Sequence, residues 1–206
     1  SLDPLATSEA LIAQAKKLGA TVRFPVEVTG FDVAGDRVRA VKTSEGEIKA
    51  DAVVIAAGIG SGALGDALGV HVPYRTSPMT LIPLEPQPPL LERIAFAPGV
   101  TLKQEVDGRV VISGRRLDMD ASTPLSERSR QILQHAAQFF PQLRDAKILR
   151  VIEGLRVYPG SPGDGFPIIG YAGNYKNVYL TFSHSGVTLA PVIAQLATQE
   201  LLEGVE

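Results

Sequence analysis

The sequence predicts a mixed α/β fold in which α/β regions at both ends of the chain are interleaved with a central antiparallel β segment. Three observations carry this prediction. Residues 52–57 (AVVIAA) form a continuous apolar run ending in Gly58, the pattern of a strand covered on both faces, as in a parallel sheet. VTLKQEV and RVVISG flank Asp107-Gly108, the strongest hairpin signal in the chain. Residues 178–182 (VYLTF) are β-branched and aromatic and pass through Ser183-His184-Ser185-Gly186 into an apolar helix. With 206 residues and a 45% hydrophobic content, a substantial core is expected.

In chain order, residues 8–18 place Leu11, Ile12, Ala15 and Leu18 on one helical face, with Thr7 or Ser8 as N-cap and Gly19 as the stop. Residues 21–43 read as β: TVRF, then PVEVTGFDV, then RVRAVKT, the last two separated by Ala34-Gly35-Asp36. Ser44-Glu45-Gly46 makes a further turn. The apolar strand at 52–57 belongs in the centre of its sheet. Residues 58–63 (GIGSGA) then match the dinucleotide fingerprint G-x-G-x-x-G/A in letters. The next segment, LGDALGV, is too short for the helix such a site needs, Pro73 and Pro78 follow, and no carboxylate stands about 20 positions on for a ribose. The segment therefore reads as a glycine-rich loop leaving a strand, with a nucleotide site there as a weaker reading.

Prolines 73, 78, 83, 86, 88, 89 and 98 predict extended edge strand and loop. Thr123-Pro124 opens a helix with Leu125, Ile132, Leu133, Ala136 and Phe140 on its apolar face, ending before Pro141. Residues 147–153 (KILRVIE) read as a strand. The pattern divides at 1–71, 72–153 and 154–206.

A net charge of −2 without a basic run argues against nucleic acid and anionic membranes as partners. The absence of cysteine excludes disulfides, thiolate metal sites and cysteinyl attachment of a cofactor. It is compatible with a reducing cytosol, and a soluble cytoplasmic protein is expected, with no membrane-spanning segment and no metal site. Within 177–191 the glycine at position 186 starts a helix whose first turn carries unpaired N–H groups and the positive dipole end. That terminus suits a phosphate, a carboxylate or the electron-rich edge of a ring cofactor. An ordinary strand-to-helix turn with a core histidine is the bland alternative.

Gly154-Leu155-Arg156, then Asp164-Gly165-Phe166-Pro167-Ile168-Ile169-Gly170, then 177–191 stand at a spacing that resembles the carboxy-terminal half of the FAD-dependent D-amino-acid oxidase and glycine oxidase superfamily. Asp3-Pro4 before a helix, Gly19-Ala20, and Gly46 followed by residues 51–58 (DAVVIAAG) extend the likeness over nearly the whole chain. The resemblance implies a partial FAD-binding, Rossmann-like region interleaved with an antiparallel-sheet substrate domain. It implies C–N bond oxidation of an amino acid or secondary amine by hydride transfer to non-covalent FAD.

The resemblance also implies roles for individual residues. Val26 would read the adenine edge through its backbone. Ala57 and Gly58 would pass close to the diphosphate and ribitol. Gly186, Val187, Thr188 and Leu189 would form the helix terminus near the flavin's pyrimidine edge. Arg156 resembles the arginine that clamps a substrate carboxylate, a task its planar fork suits; the alternative is a structural ion pair with Glu153 or Asp164. The family usually has Pro directly after that arginine, whereas Val157 and Tyr158 precede Pro159 here. If Pro159 is the anchor, Tyr158 takes the arginine's place. His184 would touch flavin or substrate, or be a satisfied buried histidine. No catalytic base is implied.

The family's opening βαβ unit, roughly 30 residues with G-x-G-x-x-G, has no counterpart before Ser1. The resemblance therefore implies a fragment that starts midway through its FAD-binding region, inactive alone, with FAD absent or weakly held. Exposed strand edges would favour homo-oligomers. The alternative is a non-catalytic assembly subunit that pairs with a separate FAD-binding chain.

Overall fold

In the computed structural model of the chain, residues 2–114, 123–160 and 165–203 are described. Helix α1 (Pro4–Lys17) begins at an Asp-Pro pair. Asp3 Oδ1 accepts from the Leu5 and Ala6 amides at 2.8 and 3.2 Å, so Asp3 is the cap. The Thr7 and Ser8 hydroxyls, expected there, donate back to the carbonyls of Asp3 and Pro4. Pro4 sits at the first helical position, where a missing N–H costs nothing. No residue of α1 is buried; Leu11 and Leu18 of the expected apolar stripe are exposed.

Strands β1 (Val28–Ala34), β2 (Arg37–Thr43) and β3 (Gly46–Lys49) form an antiparallel meander in that order. The expected TVRF strand does not form; residues 20–27 have no regular structure, and no strand among the described residues offers them a ladder. Strand β4 (Val53–Ile55) leads through a single 3-10 turn (Gly58–Gly60) into α2 (Ser61–Asp66). Packing accounts for the glycines of this short helix: a Cβ would lie 2.7 Å from the Tyr74 ring at Gly62 and 2.6 Å from the Val70 carbonyl at Gly65.

The chain continues through β5 (Tyr74–Pro86), β6 (Ala95–Ala97), β7 (Val100–Gln104), β8 (Arg109–Gly114) and α3 (Leu125–Phe139). Then follow β9 (Ile152–Pro159), β10 (Ile168–Tyr171), β11 (Val178–Phe182) and α4 (Gly186–Glu203). The structure divides into two compact units. One holds Ser77–Arg156 and the first residues up to Ser8; the other holds Glu9–Thr76 and the chain from Val157 onward.

In the first unit the sheet order is β6-β7-β8-β5-β9. The hairpin at Asp107-Gly108 forms, with Gly108 at φ 85° and Glu105 and Arg109 bonded across it. Strand alternation sends Ile82, Leu84, Leu102, Val110 and Ile112 to one face, where they pack with Ile132 and Ala136 of α3. Gly114 lets α3 approach: a Cβ there would lie 2.8 Å from Ile132. Of the proline-rich segment, β5, with Pro78, Pro83 and Pro86, is interior rather than an edge, lying between β8 and β9, whereas residues 87–94 are loop and β6 is an edge strand, as expected. A register shift between Pro83 and Pro86 absorbs the lost donors. Residues 147–151 make only an isolated bridge, Leu84 to Ile148, and the strand begins at Ile152.

In the second unit β11 pairs antiparallel with β10 and parallel with β4. β4 thus takes the edge of a three-stranded sheet rather than its centre, and Val54 is 46% exposed. The side-chain amide of buried Asn177 donates to the Val38 and Asp51 carbonyls at 2.7 and 2.9 Å, and its oxygen accepts from the Val38 N–H at 2.9 Å. One side chain therefore ties β2 to the start of β11. Val38, Ile55, Leu68, Val178, Leu180 and Phe182 form this unit's core.

Candidate active site

Strand β11 ends at Phe182, and a three-residue turn delivers the chain to Gly186, the first residue of α4. Ser185 takes φ 56° there, the one positive φ outside glycine among the described residues. Its carbonyl accepts from the Thr188 and Leu189 amides at 3.0 and 3.1 Å. Those two donors are thereby spent, while the Gly186 and Val187 amides have no partner among the described residues. The Tyr179 hydroxyl donates to Glu200 at 2.7 Å, anchoring α4 on β11. Burial, and then the Glu200 carboxylate beside it, push that phenol up to about 12.

Gly58 follows β4 at φ 55°, and a Cβ there would meet nothing within 4 Å. Gly58 and Gly186 line one cavity of about 520 Å³, walled by Val54, Thr181, Ala190 and Ile193 among others. Ala57, Val187, Thr188 and Leu189 do not line it. Val26 lies in the irregular segment before β1, and neither its N–H nor its carbonyl engages a described residue. Its neighbour Glu27 is pinned on both sides by Ser44, at 3.1 and 2.9 Å.

In the same unit the Tyr158 ring is stacked on His184, centroids 4.3 Å apart, with the Arg75 guanidinium 4.0 Å from the Tyr158 ring centre. His184 Nδ1 lies 2.8 Å from the Val157 carbonyl. A carbonyl only accepts, so Nδ1 carries a proton and donates it. Arg75 had no signal in the sequence; its role comes from ring geometry.

Arg156 stands on β9 in the first unit, half-buried. Its Nε donates to Met79 Sδ and its Nη2 to Ser113 Oγ, both at 3.0 Å. Both partners are neutral. Glu153, three residues back, points to the opposite face of the strand and pairs instead with Arg128 of α3 at 2.9 Å. Asp164, the other acid considered, lies outside the described residues. Arg156 lines a second cavity, of about 460 Å³, with Phe96, Thr101 and Ser113. Sequence reading passed over Ser113 and Met79; the alternation in RVVISG is the signal that places Ser113 on the face away from α3. Among the described residues no cluster of His, Asp or Glu could hold a metal ion, and no helix is long and apolar enough to cross a membrane.

Residues 1–200 match the family model described as FAD dependent oxidoreductase. Among curated proteins, the chain is 34% identical over 184 residues to glycine oxidase of Pseudomonas aeruginosa, covering 87% of this chain and 49% of that protein. It is 35% identical over 185 residues to D-amino acid dehydrogenase 2 of Mesorhizobium japonicum, covering 84% and 41%. Among solved structures, L-proline dehydrogenase from P. horikoshii superposes with a TM-score of 0.80 at 25% identity, over 99% of this chain and 56% of that one. Glycine oxidase from Bacillus cereus gives 0.82 at 24% identity, over 96% and 55%, a likeness of fold. The chain spans about half the length of the curated relatives it matches.

Proposed function

Because the chain belongs to the family of FAD-dependent oxidoreductases, we propose that the whole protein oxidises the C–N bond of an amino acid or secondary amine, with FAD held non-covalently. The observation that carries the substrate half of this reading is Arg156, a half-buried cation whose described partners are a thioether and a hydroxyl. A guanidinium fixed at Nε and Nη2, with no ion-pair partner among the described residues, is prepared for a carboxylate. The names of the relatives, a glycine oxidase and a D-amino acid dehydrogenase, support the same substrate class.

The second unit fits a flavin nucleotide. Gly58 has open space where a side chain would stand, and at Gly186 the nearest atom to an added Cβ is Ser183 Oγ, 3.6 Å away. The Gly186 and Val187 amides, without a partner among the described residues, stand at the start of an 18-residue helix and favour negative charge. Val26 presents an unengaged N–H and carbonyl to a heterocycle edge. Bound FAD supplies the hydride acceptor. Arg156 fixes the carboxylate and so orients the α-carbon, and positioning does most of the work. Tyr158 and His184, stacked within the second unit, are the further substrate-binding residues of this reading; no residue of the chain is assigned proton removal.

The edge of β4, which no described strand pairs, favours a second reading, in which this chain is a non-catalytic assembly subunit that pairs with a separate FAD-binding chain. Anaerobic mixing tests the primary reading. Amino acid added to FAD-loaded protein should bleach the visible flavin band, and Arg156→Lys should raise the concentration required. Bleaching by no amino acid or secondary amine would refute it. Stoichiometric co-purification with a separate flavoprotein chain would favour the second.

A further inference from the structure

Arg156 is not alone on its face of the sheet. The register sets Phe96 of β6 opposite Thr101 of β7, and Thr101 opposite Ser113 of β8. These three residues form one row on the face away from α3. Val100, Leu102, Val110 and Ile112, their neighbours along the strands, fill the core on the other face. Arg156 reaches into the row's end and donates to Ser113 Oγ. The cavity of about 460 Å³ is lined by the members of this row and Arg156, together with Ala97, Gly99 and Val100 at the turn from β6 into β7. It has an aromatic ring, 81% exposed, at one end and a cation at the other.

The chemistry along the row is graded. Ser113 accepts from Arg156, so its own hydroxyl proton is available to a second acceptor, and it has none among the described residues. A carboxylate at that point would receive one hydrogen bond from Ser113 and others from the remaining guanidinium protons. Two strand spacings, about 10 Å, separate the Ser113 and Phe96 backbones, a span suited to a carboxylate followed by one benzyl-sized group. A carboxylate with no side chain would leave the Phe96 end unused.

We propose that Ser113 is a second carboxylate ligand beside Arg156 and that the strip past Thr101 to Phe96 seats an apolar substrate side chain. The substrate is then an α-amino acid with a sizeable apolar side chain rather than glycine. This rests on the carboxylate role given to Arg156 above and adds the selection of what the carboxylate is attached to.

The test is an NMR titration of the full 206-residue chain with acetate and with phenylacetate, following backbone amides and the Arg156 Nε signal. Phenylacetate should bind at least about fivefold more tightly than acetate, and Phe96→Ser should abolish that preference while leaving acetate unchanged. Ser113→Ala should weaken both probes by about tenfold, and Ser113→Thr, which keeps a hydroxyl, should restore them. Equal affinities in the unaltered chain, or an unchanged Ser113→Ala, would overturn the inference. If Arg156→Gln abolishes both affinities while Ser113→Ala and Phe96→Ser change neither, the inference falls and the Arg156 clamp stands. If Arg156→Gln changes nothing, or neither probe binds the unaltered chain, both fall.

Discussion

Glu153 is paired with Arg128 at 2.9 Å and not with Arg156, although all three charges belong to one compact unit. The cause is strand geometry: an odd separation along β9 sends Glu153 towards α3 and Arg156 to the other face. The two arginines therefore have different jobs, one structural and one open to a ligand. Glu153→Gln should cost no more than about 1 kcal/mol in urea unfolding, because that pair is partly exposed, and should leave carboxylate affinity unchanged. Arg156→Lys should show the reverse, with unfolding little altered and carboxylate affinity reduced by about tenfold as the fork geometry is lost.

Asn177 gives a second prediction, on stability. Its amide satisfies both backbone groups of buried Val38 and also the Asp51 carbonyl. Asn177→Ala would strand the Val38 N–H and carbonyl away from water, at a cost of about 2–4 kcal/mol. A lower urea midpoint with an unchanged slope is the expected signature. A midpoint matching the unaltered chain would mean that water reaches these groups.

The segments most legible in sequence were those whose local chemistry dictates their geometry. Asp107-Gly108 closes its hairpin because a turn with positive φ needs such residues, and VYLTF enters α4 at Gly186 as expected. Failures came where partners decide. TVRF has strand composition but no neighbour, and the central-strand pattern of 52–57 ends at a sheet edge. Pro78, Pro83 and Pro86 sit in an interior strand, where a register shift between Pro83 and Pro86 accommodates them, while the other prolines of that segment lie outside the strands. Motif resemblance singled out Arg156 in the first unit and Tyr158 and His184 in the second. Met79, Ser113, Phe96 and Arg75 are unremarkable as letters and acquire meaning only through strand register and ring stacking.

Tyr179 makes stability pH-dependent at the alkaline end. Its phenol is held near 12, mainly by burial and secondly by Glu200, against about 10 in an unfolded chain. Between these values the folded chain keeps a proton that the unfolded chain has released, so stability falls as pH rises. The contribution is intact below pH 10. Tyr179→Phe should therefore flatten the loss of stability between pH 10 and 12 relative to the unaltered chain, read by urea unfolding at each pH. Identical slopes would show that the phenol is not held in this way.

The cavity lined by Gly58 and Gly186 is the proposed flavin nucleotide seat, and an FAD titration followed by flavin fluorescence probes it. The chain should bind FAD weakly but saturably, and Gly58→Val and Gly186→Val should each weaken binding at least about tenfold, since side chains would occupy the approach. Saturable binding that survives both substitutions, or no saturable binding at all, would mean that this cavity is not the flavin seat.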